Sequence, residues 1–139
     1  MALIPYLNFN GNTKEVIEFY VKVFDLEEAE IMYFKDMPND PEFPITSEIE
    51  NLVMHGSIDL DGDKIMFSDS ISEMGPPLIF GNNLDIMYSI KDIDKLKTIF
   101  DKLAEGGTIN MPFMPTFWSQ GYGVLVDKFG VGWQLNLDE

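Results

Sequence analysis

The chain has 139 residues, 24 acidic against nine basic for a formal charge of −15, with no cysteine and one histidine. This composition excludes disulfides, thiolate nucleophiles, thiolate metal sites and any centre needing two or three imidazoles from one chain. The negative field argues against nucleic-acid binding and favours a cationic ligand over an anionic one, although solubility alone also accounts for it.

The N-terminal MALIPYLNF lacks the basic start and long apolar core of a signal peptide. Nowhere does an apolar run approach the roughly 20 residues of a membrane helix. A soluble cytoplasmic protein without a membrane partner is expected. Residues 3 to 9 read as a strand, with Pro5 placing it at a sheet edge or a bulge. Asn12 then offers a helix N-cap, and Glu15 three residues on completes a capping box. Val16, Phe19, Tyr20 and Val23 give the following helix, residues 13 to 24, an apolar face.

Residues 29 to 34 read as a second strand, and Pro38, Pro41 and Pro44 mark 35 to 51 as a long loop, a length typical of lids. VMHGSIDL (Val53 to Leu60) and KIMFS (Lys64 to Ser68) are strands joined by an Asp61-Gly62 hairpin turn. The glycines and prolines of 71 to 83 make a connector. The pattern then restarts: a strand over 84 to 90, an Asp92 cap, a helix over 93 to 104 closed by Gly106-Gly107, and a strand near 108 to 111. A Pro- and aromatic-rich loop follows, then strands over 122 to 126 and 132 to 137 around Phe129-Gly130.

The two halves correspond at a fixed offset. The stripe of the first helix maps onto Leu96, Ile99, Phe100 and Leu103 of the second. The expected fold is therefore α+β: a single domain of two tandem βαβββ modules (1–70 and 84–139, with connector 71–83). Each sheet has a helix on one face, so the curved mixed sheets are expected to face one another around a cleft. Alternation places Ile65 and Phe67 on the core face opposite Lys64, Met66 and Ser68. It likewise sets Trp133, Leu135 and Leu137 against Gln134 and Asn136.

PYLNFNGNTKEVIEFY (Pro5 to Tyr20), MHGSI (Met54 to Ile58), MFSDS (Met66 to Ser70), TFW (Thr116 to Trp118) and DKFGVGWQLN (Asp127 to Asn136) carry a resemblance. The sequence resembles the vicinal oxygen chelate superfamily of glyoxalase I, extradiol dioxygenases and bleomycin-resistance proteins, and within it the PhnB-like branch. The resemblance implies paired βαβββ modules assembled as homodimers. In metal-dependent members it also implies four His or Glu ligands on the first and last strands of each module. Here those places fall at or beside Pro5, on Met66, near Asp85 and on Gln134. Two of the four offer no carboxylate, imidazole or amide, so no metal cofactor is expected.

The candidate ligand-binding residues are His55, Met66, Asp85, Phe117, Trp118 and Gln134. His55 serves either as a base or orienting donor in the cleft, or as a histidine satisfied within the sheet or a dimer interface. Phe117 and Trp118 form either a platform for planar or cationic groups, or a seal at the end of the fold or subunit contact. Gln134 is a polar residue aimed into an apolar cleft. Asp61, Asp63 and Asp69 read as a solvated acidic hairpin, and the methionines, Met74 among them, as adaptable filling. The resulting expectation is a homodimeric protein binding a small, partly apolar and cationic molecule without a metal. The alternative is a metal-dependent lyase, isomerase or dioxygenase using Asp85, Gln134 and His55. No methyl-donor loop is found.

Overall fold

The β-α-β-β-β order occurs twice in a computed structural model that describes residues 1–71 and 75–139. Residues 72–74, including Met74, lie within the connector and outside the described residues. The first unit, Met1–Ile79, contains β1 (Tyr6–Phe9), α1 (Thr13–Val23), β2 (Glu30–Tyr33), β3 (Val53–Leu60) and β4 (Asp63–Asp69). Its sheet runs β1-β4-β3-β2, with β1 parallel to β4 and the other pairs antiparallel. The second unit, Phe80–Glu139, contains β5 (Asp85–Ile90), α2 (Ile93–Ala104), β6 (Thr108–Met114), β7 (Tyr122–Val126) and β8 (Gly132–Leu137). It repeats the topology as β5-β8-β7-β6, again with the first and last strands parallel. Both units are α+β modules of one mixed four-stranded sheet and one helix.

Helix packing follows the apolar patterns, with one rotation. In α2, Leu96, Ile99, Phe100 and Leu103 are all buried, as their spacing predicts, and Asp92 accepts from Lys95 N at 3.1 Å. In α1 the buried set is Val16, Ile17, Tyr20 and Val23, with Ile17 taking the core position expected of Phe19, which is only half-buried. The branched Ile17 side chain meets Gly56 so closely that a β-carbon there would lie 2.6 Å from it.

Two expectations for the first unit are corrected. Asn12 makes no side-chain cap bond. Asp69, expected in solvent, is 6% exposed and supplies the cap instead. Its Oδ1 accepts from Gly11 N (2.9 Å), Thr13 N (3.1 Å) and Thr13 Oγ1 (2.6 Å), and its Oδ2 from Val53 N (2.8 Å). A buried carboxylate is retained because backbone donors at a helix N-terminus replace its water. The second unit has a related device in Asp127, 3% exposed. It closes the Phe129-Gly130 turn through Phe129 N and Val131 N, and holds Trp133 Nε1 at 2.9 Å.

Strand limits shift at the prolines. β1 begins after Pro5, at the edge of its sheet, and the Pro5 carbonyl accepts from Met66 N at 3.0 Å. β6 runs through Pro112 to Met114, further than expected; it is an edge strand with two register shifts, where a missing N–H is tolerated. The 35-to-51 loop starts as a 3-10 turn, Phe34–Asp36, and is tied back by Lys35 N to Glu50 O at 3.0 Å. Among the described residues no helix is long and apolar enough to cross a membrane.

Candidate functional site

Each sheet gives one face to its helix, and strand alternation assigns the polar candidates to the other. In the first unit Ile65 and Phe67 are buried while Met66 and Ser68 point away from them. Register places Tyr6 beside Met66 and Asn8 beside Ser68 on this second face. His55 joins them by alternation, two residues before Ser57, which pairs with Met66; a bulge at Met54, between the Met32–His55 and Tyr33–Val53 pairs, then returns Val53 to the core. The Tyr6 hydroxyl lies 3.3 Å from His55 Nδ1 with the rings 5.9 Å apart, and Ser68 Oγ donates to Asn8 Oδ1 at 3.0 Å. His55 and Met66 therefore share a face, and Tyr6, which sequence reading missed, connects them.

In the second unit Trp133 and Leu135 are fully buried, which leaves Gln134 and Asn136 on the opposite face. Gln134 Nε2 donates to Asp85 Oδ2 at 3.0 Å, and Tyr122 Oη donates to Gln134 Oε1 at 2.7 Å. The direction of this chain is forced. A carboxylate only accepts, so the amide turns its nitrogen to Asp85 and its oxygen to Tyr122, whose hydroxyl must give its proton. Gly132 is part of the design, since a β-carbon there would overlap Asp85 Oδ1.

The aromatic candidates adjoin this chain. Trp118 meets Tyr122 edge to face with centroids 5.1 Å apart, and Phe117 meets Trp118 at 4.8 Å and 87°. Phe117 is 97% exposed and Trp118 51%, on a loop that is firmly anchored. Thr116 N donates to Ser119 O at 2.7 Å, the buried Ser119 hydroxyl donates to Gly121 O at 2.9 Å, and Leu137 N donates to Gly121 O at 2.8 Å. Asn136 Oδ1, opposite Tyr122 in the register, is buried and has no hydrogen-bond partner among the described residues.

The structure thus groups Asp85, Gln134, Trp118 and Phe117 around Tyr122 in the second unit, and His55 and Met66 around Tyr6 in the first. Tyr122 and Tyr6 had only their strand alternation as a signal, which gives a face but not a hydroxyl's partner. Pro5 and Met66 in the first unit and Asp85 and Gln134 in the second are the residues at the places where the resemblance puts metal ligands. Pro5 has no side-chain donor, Met66 offers a thioether, and the Gln134 amide oxygen is turned to Tyr122 and away from Asp85. Among the described residues no three His, Asp or Glu side chains gather as a metal centre would require.

Comparison with known proteins gives consistent relationships. A family model described as 3-demethylubiquinone-9 3-methyltransferase matches residues 1–136. Protein YjdN of Escherichia coli (strain K12) is 31% identical over 99% of this chain and 95% of its own length. Protein PA1353 from Pseudomonas aeruginosa superposes with a TM-score of 0.85 at 28% identity, covering 99% of this chain and 98% of that one. A PhnB protein from Bacillus cereus, described as a 3-demethylubiquinone-9 3-methyltransferase, gives 0.74 at 29% identity over 99% and 100%. A glyoxalase/bleomycin resistance protein/dioxygenase family enzyme from Burkholderia phytofirmans PsJN shares the fold at a TM-score of 0.58 and 14% identity, over 95% of each chain.

Proposed function

Because the chain belongs to the 3-demethylubiquinone-9 3-methyltransferase family, the PhnB-like branch of the vicinal oxygen chelate superfamily, we propose that it binds a small, partly apolar molecule without the superfamily's usual metal. The observation that carries this reading is the Tyr122–Gln134–Asp85 chain on an open sheet face, flanked by Trp118 and Phe117. Such a surface offers what small-molecule sites have, apolar and aromatic walls with a few oriented polar groups. Among the described residues it holds no nucleophile paired to a base. Gln134, the residue in the place of a metal ligand, is instead committed at both amide atoms.

The reading includes a homodimer in which the ligand clefts are completed. Support comes from the apolar residues left in solvent: Met32, Met87, Met114 and Phe117 are each at least 47% exposed. The name of the family model describes methyl transfer. For this chain we favour binding over that activity, since its sequence supplies no glycine-rich loop after a strand to seat a methyl donor.

Thermal-shift screening of the purified protein against a library of aromatic and aliphatic compounds, neutral, cationic and anionic, tests the reading. A ligand that binds only the folded state raises the melting temperature by mass action. Stabilisation that is lost in Trp118→Ala and Gln134→Ala is the expected result. No stabilisation by any compound, at any charge, would overturn it.

A further inference from the structure

We infer that the second-unit site selects organic cations bearing N–H donors, and that Asp85, acting through Gln134 and Tyr122, sets this specificity. The inference rests on the small-molecule reading above and names the ligand class of the same site. It starts from the hydrogen-bond directions. Asp85 accepts from Gln134 through Oδ2, and Gln134 accepts from Tyr122 through Oε1. Tyr122 has therefore spent its only proton inside the chain and faces a ligand as a lone-pair acceptor. Asp85 Oδ1, seated over Gly132, is the second acceptor. Among the described residues no lysine, arginine or histidine pairs with Asp85.

The surroundings point the same way. Trp118 and Phe117 present ring surface beside the acceptors, and an indole face attracts a cation. The chain's charge of −15 raises the local concentration of cations and lowers that of anions. A carboxylate or phosphate ligand would meet the Asp85 carboxylate and the Tyr122 lone pairs. A flat amidinium or a ring-bearing ammonium would meet oxygen at its N–H groups and aromatic carbon on its body.

The relay also accounts for how the preference is held. If Asp85 becomes asparagine, its amide can donate, Gln134 can turn over, and Tyr122 can then offer its proton outward. One isosteric change thus removes the charge and releases the polarity of all three groups.

Benzamidine, benzamide and benzoate share one ring and differ in charge and donor content, so they form a matched set. Binding is read by quenching of Trp118 fluorescence, since Trp133 is fully buried and contributes a constant background. The expected result is benzamidine binding roughly tenfold tighter than benzamide, the usual margin of a charge-assisted hydrogen bond over a neutral one, with no benzoate binding. Asp85→Asn should bring benzamidine and benzamide within about twofold of each other by the same margin. Tyr122→Phe should weaken benzamidine several-fold while keeping the order. Benzamide or benzoate binding as tightly as benzamidine would overturn the inference and leave the small-molecule reading standing. A preference that survives Asp85→Asn, or no quenching by any of the three, would also overturn it. The broad compound screen judges the wider reading separately.

Discussion

Asp69 Oδ1 lies 2.6 Å from the Thr13 hydroxyl, so α1 takes its cap from the last residue of β4, 56 positions along the chain. With the further bonds to Gly11, Thr13 and Val53, one carboxylate joins the start of a helix, the loop before it and the first residue of β3. Asp69→Ala would leave three backbone donors without a partner. Each buried orphan costs about 1–3 kcal/mol, so the expected loss is about 3 kcal/mol or more in urea unfolding. Asn12→Ala, at the residue in the N-cap position, should change stability by no more than about 0.5 kcal/mol. Equal losses for the two would contradict the assignment of the cap.

The two tryptophans should separate stability from binding. Trp133 is completely buried and donates to the buried Asp127, so Trp133→Ala is expected to cost about 3–5 kcal/mol. Trp118 is half exposed, and Trp118→Ala should alter stability by less than about 1 kcal/mol while abolishing ligand stabilisation. Chemical unfolding alongside ligand titration measures both.

Gly132→Ala tests the seat of Asp85. The added methyl would displace the carboxylate from its niche. Affinity for benzamidine should fall roughly tenfold, the loss of one charge-assisted bond, with far-UV circular dichroism unchanged. Retained affinity would show that the carboxylate does not work from that position.

The metal-free reading predicts that protein purified without added metal carries zinc, nickel, manganese and iron well below one per chain by elemental analysis. Incubation with each metal should leave the melting temperature where it was, because an ion that binds only the folded protein would raise it. One equivalent of any of these ions, released by chelator with a drop in melting temperature, would overturn that part of the reading.

The proposed homodimer is checked by sedimentation velocity, where a species of twice the 15.9 kDa chain is expected. Phe117→Asp, a charge placed on an almost wholly exposed ring, should shift the distribution towards monomer.

Much of the fold was legible because it is written in short periods. The α2 stripe, the Asp92 cap, the Asp61-Gly62 turn and the alternation in KIMFS and GWQLN each depend on residues within a few positions of one another. What was not legible depends on distance. Nothing near Asp69 says that its partners lie in the loop before α1, and Ile17 replaces Phe19 in the core only because Gly56 of β3 leaves room there. The same limit applies to the site. The places of Asp85 and Gln134 came from family resemblance, but their contact spans 49 residues, and Tyr122 enters it through a hydroxyl whose partner is diagonal in the register.

The borrowed cap on α1 has a consequence for the order of events during synthesis. α2 carries its own cap and is ready to nucleate as soon as its residues leave the ribosome, whereas α1 must wait for β4 before its first turn is satisfied. Two modules of one topology thus start their helices differently: both must close a parallel pair of first and last strands, but only α1 also takes its cap from across that closure.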